Sequence, residues 1–349
     1  MPHPIRVALI GYGYVGKTFH APLIQATPGL ELVAVASSDA AKVHADWPDV
    51  RVDGDPVALA TSESVDLVVI ASPNDSHAPL ALAALRAGRH VVVDKPFTLD
   101  LTEARAVIAA ARDADRLVSV YHNRRWDSDF LTVRQAIEDG LVGEVAHLES
   151  HIDRFRPVVR DRWRERDGPG GGLWYDLGPH LADQALCLFG PPERVHANLG
   201  TLRRGAQVDD WAHVVLDYPT RRVVLHAGML VAGGTHRFVV HGSGGTLVKP
   251  SIDRQEAQLI EGMTPGAPGW GEDPNPLLVY DGSGGAPRVV PAIAGDQRRF
   301  YAGVVAALTT GAPNPVPPGE ALAVMAVVEA AAEAARTGCA VVPDFAGAF

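Results

Sequence analysis

The stretch IRVALIGYGYVG at residues 5–16 decides the fold. Its first six residues are mostly aliphatic and are closed by a glycine, the character of a short strand buried on both faces. The next six, Gly11-Tyr12-Gly13-Tyr14-Val15-Gly16, match G-x-G-x-x-G. The pattern alone is a weak signal. Here a strand precedes it and a helical stretch over 15–26 follows, which is the context that gives it meaning. Gly11 permits the tight turn, Gly13 lets the backbone approach a pyrophosphate, and Gly16 lets helix and strand pack closely. The phosphates would then lie at the positive helix N-terminus, against Tyr14 and Val15. A plain glycine-rich turn between strand and helix is the alternative.

Outward from this loop, strands are predicted over 30–37, 65–72, 90–94 and 117–121, with helices over 77–87 and 102–114 between them. Strands alternating with helices imply right-handed crossovers and a parallel, doubly wound sheet, so the fold class is α/β. After His122 the texture changes. A helix over 128–139 leads into EVAHLESHI, RVHANLGTL, WAHVVLDY, RRVVLHAGML and HRFVVHGS, whose period-two alternation predicts antiparallel strands with one face on a core. The Gly- and Pro-rich segment 262–291 reads as loop, and helices over 297–310 and 319–337 follow. Two domains are expected, 1–122 and 123–349.

Size and charge agree with that division and narrow the function. The chain has 349 residues, 47% of them hydrophobic and 21% charged. At about 150 residues per domain this is two ordinary globular cores. A net charge of −10 argues against nucleic acid or an anionic membrane as partner, since both call for clustered positive charge. Cys187 and Cys339 are the two cysteines, too few for a disulfide framework or a four-cysteine zinc site. No stretch reaches the ~20 apolar residues of a membrane span. With no leader pattern ahead of residue 5, the expectation is a cytoplasmic protein.

If the glycine loop holds a dinucleotide, the tip of the second strand chooses which one. An acidic side chain there would hold the ribose 2′-OH of NAD. The tip carries Ser37 and Ser38 instead, with Lys42 one helical turn beyond, a set better suited to a 2′-phosphate. NADP is therefore favoured. Asp39 leaves NAD open, unless Ser38 or Asp39 merely caps the next helix.

Three residues suggest acid–base chemistry. Lys95, in Asp94-Lys95-Pro96, ends a predicted parallel strand, where ligands gather in such sheets. It would hydrogen-bond a substrate hydroxyl and lower the pKa of a neighbouring group, unless it snorkels to solvent. Asp176 and His180 are four apart and share a helix face. A histidine suits the proton transfer that accompanies hydride loss from an alcohol carbon. Asp176 would orient it, or would only cap a helix beginning near Pro179. Asp176, His180 and Asp183 share a helix face and carry metal-ligating groups, and His122 and His151 could approach them in the fold. Without tight zinc spacing, no metal is expected.

Four motifs in order, GYGYVG (11–16), SPNDSH (72–77), DKP (94–96) and DLGPH (176–180), resemble those of the Gfo/Idh/MocA dehydrogenases across both domains. The resemblance implies an N-terminal Rossmann domain and a C-terminal α/β domain with an open, mostly antiparallel sheet that often mediates homodimers or homotetramers. It implies Lys95 and His180 as catalytic, with Asp176 as partner, and Asp94 in place of the usual glutamate. Ser72, Pro73, Asn74 and His77 would border the nicotinamide end of the cofactor, with Asp94, Lys95 and Asn123. GKTFHAPLI (16–24), YHNRRWDSDF (121–130) and ESHIDRFRP (149–157) look closer still to the NADP-dependent scyllo-inositol dehydrogenase branch.

Asn123, Arg124, Asp153, Arg156, Arg162 and Trp163 are the polar and aromatic residues expected around a polyol, where carboxylates and guanidinium groups pair with hydroxyls and an indole covers C–H edges. An interdomain salt-bridge network or a dimer contact is the alternative for each. The expected activity is hydride transfer between NADP and a ring hydroxyl or ketone of an inositol or sugar. Reduction of a non-sugar ketone or an imine, and a non-catalytic NADP(H) sensor, are the competing readings.

Overall fold

The computed structural model describes residues 3–348. The first half builds a six-stranded parallel sheet from β1 (Ile5–Ile10), β2 (Leu30–Ala36), β3 (Arg51–Asp53), β4 (Leu67–Ile70), β5 (His90–Val93) and β6 (Val118–Val120), in the order β3-β2-β1-β4-β5-β6. Each predicted strand of this half is present to within a few residues. The sequence reading passed over β3 and the helices Ala40–Asp46 and Pro56–Ala60, which are three to seven residues long and carry little periodic signal. β1 pairs in parallel with both β2 and β4. The chain order reverses there, so a crevice opens at the carboxyl ends of β1 and β4, beside the glycine loop.

The second sheet has eight strands: β7 (Val145–Asp153), β8 (Arg194–Gly200), β9 (Trp211–Asp217), β10 (Arg222–Gly228), β11 (Phe238–Gly242), β12 (Gly245–Lys249), β13 (Leu277–Tyr280) and β14 (Arg288–Val290), ordered β14-β13-β12-β11-β7-β10-β9-β8. All pairings are antiparallel except β7 with β10. The expected alternation holds: Leu148, Ser150 and Ile152 of β7 face the core, and so do Ala212, Val214 and Leu216 of β9. One expectation fails. The segment 262–291 is not all loop, because β13 and β14 extend the sheet at its edge. Strands of four and three residues between Gly and Pro clusters are too short to show an alternation.

The two halves share their packing. One core fills both faces of the parallel sheet; the other lies between the eight-stranded sheet and the helices Ser128–Glu138, Leu173–Phe189 and Pro318–Thr337. The last of these is apolar nearly all round, as a helix buried on several sides must be. Its Leu322, Met325 and Ala326 enter the first core, while Val324, Val327 and Val328 enter the second. Phe300 and Tyr301, from the helix Arg298–Thr310, also pack into the first core. The C-terminal helices therefore brace one half against the other and hold the crevice between them in a fixed shape.

Candidate active site

The glycine loop has the geometry its spacing predicted. Gly11 lies at φ +98°, and a Cβ there would sit 2.6 Å from the Ala71 carbonyl oxygen. A Cβ on Gly16 would sit 2.0 Å from the Gly11 carbonyl oxygen, so the first and third glycines are demanded by packing. A Cβ on Gly13 would meet nothing within 4 Å. Only the middle glycine faces open space, as it must if a diphosphate lies against its backbone. The residues present therefore fit a dinucleotide.

At the β2 tip, Ser37 Oγ and the Asp39 backbone bond one another locally. Asp39 Oδ1 accepts from the Lys42 backbone N–H at 3.0 Å and caps the helix Ala40–Asp46. Lys42 Nζ folds back onto the Tyr12 carbonyl at 2.8 Å, beside the glycine loop. Ser37, Ser38 and Lys42 thus lie in one neighbourhood.

Tyr14 and Val15 continue into a partly open cleft whose lining includes Asp94, Lys95, Asn123, Asp176 and His180. They come from three places in the chain. Lys95 follows β5, with a cis bond to Pro96. Asn123 and Arg124 lie in the 3-10 turn after β6. Asp176 and His180 lie on the helix Leu173–Phe189, which begins at Gly172 (φ +98°). Its cap is Asp209, whose carboxylate accepts from the Trp174 N–H at 2.7 Å. Asp176 is therefore inside the first turn rather than at the cap, and Pro179 lies within the helix rather than at its start.

Lys95 Nζ donates to the Asp176 carbonyl at 2.7 Å and to Asp176 Oδ1 at 3.1 Å. Arg164 stands 3.5 Å and Arg154 4.0 Å from the same carboxylate. Burial opposes ionisation of Asp176, but the charges of Lys95, Arg164 and Arg154 outweigh it and hold its pKa well below the carboxylate range. His180 is buried, with Nδ1 unpartnered. Burial first, then the cations Lys95 and Arg124, push its pKa well below the usual histidine value. His180 is thus held as an uncharged imidazole at neutral pH, beside the Lys95 cation and the Asp176 anion.

Behind Lys95, Asp94 lies 3.5 Å from His20 Nε2, and His20 Nδ1 meets the Tyr301 hydroxyl at 2.6 Å. Arg124 is spent on Asp127 at 2.8 Å and on Glu256 at 3.2 Å, while Tyr14 Oη donates to Glu256 at 2.9 Å. Glu256, from the short helix Gln255–Ile260, thereby ties the glycine loop to the cleft. Sequence reasoning passed over Glu256, Arg154, Arg160 and Arg164. The last three were legible only as a run of basic residues in 154–166.

Six of the expected site residues, Ser72, Pro73, Asn74, His77, Asp153 and Trp163, do not line the cleft. His77 is buried, and its two ring nitrogens face the carbonyls of Pro96 (2.9 Å) and Ser72 (3.0 Å), which pins the loop after β4 to the end of β5. Asn74, its neighbour, donates to the Gly170 carbonyl at 3.2 Å, and Ser72 Oγ lies 2.5 Å from Ser76 Oγ. Pro73 accepts from Ser76 through its carbonyl. Asp153 is not in the cleft: it faces away from the β7 core side, bonded by the Thr235 hydroxyl at 2.6 Å and flanked by His151 and His226 at 3.6 Å. Trp163 is not among the cleft residues either; its ring lies under the Arg164 guanidinium at 4.3 Å. Arg156 and Arg162 do line the cleft.

Of the metal-ligating residues considered above, Asp183 pairs with Arg125 at 2.6 Å and Asp176 with Lys95 at 3.1 Å. Among the described residues, His151, Asp153 and His226 form a separate trio with ligand atoms within 4.8 Å of one another.

Residues 5–122 match the model of the oxidoreductase family's NAD-binding Rossmann fold, and 134–343 match that of the same family's C-terminal alpha/beta domain. The chain belongs to the Gfo/Idh/MocA oxidoreductase family. It is 50% identical over 338 residues to the "Uncharacterized oxidoreductase YdgJ" of Escherichia coli (strain K12), covering 96% of this chain and 98% of that one. It is 34% identical over 336 residues to the scyllo-inositol 2-dehydrogenase (NADP(+)) IolW of Bacillus subtilis (strain 168), covering 95% and 94%. A crystal structure of a "putative oxidoreductase" from Klebsiella pneumoniae superposes with a TM-score of 0.93 at 56% identity over 98% of this chain and 96% of that one. Within the Gfo/Idh/MocA family, then, this chain is an oxidoreductase with a Rossmann domain for a nicotinamide cofactor.

Proposed function

We propose that this oxidoreductase transfers hydride between NADP and a secondary alcohol or ketone of an inositol- or sugar-type polyol. The observation that carries the reading is the meeting of Lys95, Asp176 and neutral His180 in one cleft with the glycine loop. When bound, the nicotinamide supplies the hydride acceptor or donor. His180 takes the hydroxyl proton during oxidation and returns it during reduction. Lys95 donates a hydrogen bond to the reacting oxygen and favours its developing negative charge, and Asp176 holds Lys95 in place. Asn123 and the arginines near it orient the remaining hydroxyls. Lys95, with Asp176 and His180 around it, has the residues an acid–base reaction calls for and a nucleotide sensor does not.

The preference for NADP rests on Ser37, Ser38 and Lys42 at the β2 tip, and on the use of Asp39 as a helix cap. The relative IolW is named as NADP-linked, which agrees. Assembly as a homodimer or homotetramer through the outward face of the eight-stranded sheet belongs to the same proposal, supported by half-buried apolar residues there such as Val215 and Val224. So does a cytoplasmic location; no helix among the described residues is long and apolar enough to cross a membrane.

Parallel fluorescence titrations with NADPH and NADH test the cofactor assignment. NADPH is expected to bind at least about tenfold more tightly, the worth of one or two charge-assisted hydrogen bonds to a 2′-phosphate. Gly13→Val, whose side chain enters open space rather than backbone, should fold normally and lose most of that binding. Equal or tighter NADH binding by the wild type overturns the NADP preference.

A further inference from the structure

One wall of the cleft is more cationic than a neutral polyol needs. Five arginines from a single segment, Arg154, Arg156, Arg160, Arg162 and Arg164, line it together with Lys95 and Arg124. Against these seven cations the same lining supplies three carboxylates, Asp94, Asp176 and Glu256. This concentration of positive charge lies in a chain whose net charge is −10. Like charges crowded along one wall repel one another, and the arrangement is relieved when an anion occupies it.

The pairing of each cation shows where the surplus lies. Arg124 is committed to Asp127 and Glu256, and Arg162 to Glu165 at 2.8 Å. Arg154 and Arg164 share Asp176 with Lys95. Arg156 and Arg160 have no carboxylate within salt-bridge distance among the described residues. Burial, then the neighbouring Arg154, Arg160 and Arg162, depress the Arg156 pKa, with Asp176 opposing them. Planar guanidinium groups with free donors suit a phosphate ester or carboxylate, which they bind through paired hydrogen bonds.

We propose that the substrate is an anionic polyol, carrying a phosphate ester or a carboxylate that Arg156 and Arg160 hold while its ring hydroxyl faces Lys95 and His180. This rests on the dehydrogenase reading above and names the substrate class of the same cleft. The closest competing occupant of these arginines is the cofactor's own diphosphate, since Tyr14 and Val15 border the same cleft.

Calorimetric titration with inorganic phosphate, at constant ionic strength, is carried out on the NADPH-loaded protein and on the cofactor-free protein. Saturable binding to the loaded protein is expected, weakened by at least about tenfold in the double variant Arg156→Gln/Arg160→Gln, the loss of charge-assisted hydrogen bonds from two groups. NADPH affinity should change by less than about threefold in that variant, because the diphosphate is assigned to the glycine loop and the 2′-phosphate to the β2 tip. Arg336→Gln, an exposed arginine paired with Glu333, should leave phosphate binding unchanged. Succinate run beside phosphate assigns the group: tighter phosphate binding indicates a phosphate ester, tighter succinate binding a carboxylate.

Absence of phosphate and succinate binding to the loaded protein overturns the proposal, as does binding that survives the double substitution. Phosphate binding that disappears on loading with NADPH also overturns it, because the arginines then serve the cofactor. Failure of NADPH itself to bind defeats the dehydrogenase reading instead, and phosphate binding to the cofactor-free protein that depends on Arg156 and Arg160 would still mark an anion site.

Discussion

Exchanging Lys95 for Met should lower kcat by about a thousandfold or more, the combined size of a lost oxyanion-type contact and a lost acid–base partner. The protein should nevertheless fold. Lys95 is buried, and its removal takes away the bond of 3.1 Å to Asp176 Oδ1, yet Arg164 and Arg154 remain beside that carboxylate at 3.5 and 4.0 Å. Asp176 keeps counterions and is not stranded as an uncompensated buried charge, which would cost several kcal/mol. Methionine also replaces the aliphatic stem of lysine with one of similar length. NADPH affinity should stay within about threefold of the wild type, since Gly11, Gly13 and Gly16 are untouched. Steady-state kinetics, circular dichroism and a cofactor titration on the same preparation check all three. Turnover within about tenfold of wild type would remove Lys95 from the reaction.

The second large effect is acid destabilisation from buried neutral histidines. His122 is fully buried with both ring nitrogens unpartnered. Burial lowers its pKa from 6.5 to about 4, Asp183 opposing and Arg125 assisting. His180 and His77 are lowered in the same direction, burial again leading. Below pH 6.5 the unfolded chain takes up protons at these positions that the folded chain refuses. The unfolded state then binds more protons, so stability rises with pH and falls on acidification.

For His122 the fall from 6.5 to about 4 corresponds to about 3 kcal/mol lost once the pH reaches 4 or below. Tm should be nearly flat above pH 7 and decline steeply between pH 6.5 and 4. His122→Leu, which removes two unpaired polar atoms and a titratable group, should flatten part of that slope without lowering Tm at pH 7.5. A Tm that is constant from pH 7 to 4.5, or a slope untouched by His122→Leu, would mean that these histidines are not held neutral. The same arrangement keeps His180 a free base at neutral pH, so protonation of His180 should not limit the rate between pH 6.5 and 8.

Much of this was legible in the sequence, for reasons that differ by element. β1 and its glycine loop declared themselves because a buried parallel strand is a dense aliphatic run and the turn after it has strict backbone demands. β7, β9 and β10 showed in the alternation of residues facing core and solvent. β13 and β14 did not, since three or four residues at a sheet edge carry no period. Position marked Lys95 at a strand end, and Asp176 and His180 four apart on a helix, as candidates only; their catalytic roles came from the resemblance of DKP (94–96) and DLGPH (176–180) to the family motifs.

The misplaced residues are as instructive. Asp153 belongs to the same face of β7 as His147, Glu149 and His151, and the alternation with Leu148, Ser150 and Ile152 already placed it away from the core side. His77 was not legible, since only the fold brings the carbonyls of Ser72 and Pro96 to its ring. Arg160 and Arg164 lie in an irregular segment where no periodicity says which side chains point inward. The cationic wall of the cleft is therefore a property of the fold, visible in sequence only as an excess of arginine between 154 and 166.

The most direct test of the central claim is NADP reduction, followed at 340 nm, with matched polyols: scyllo-inositol, myo-inositol, glucose, glucose 6-phosphate and glucuronate. NADPH formation is expected with at least one of them by the wild type, and none above background by Lys95→Met. No reduction of NADP by any member, with NADPH nonetheless bound tightly, would contradict a polyol dehydrogenase at this cleft.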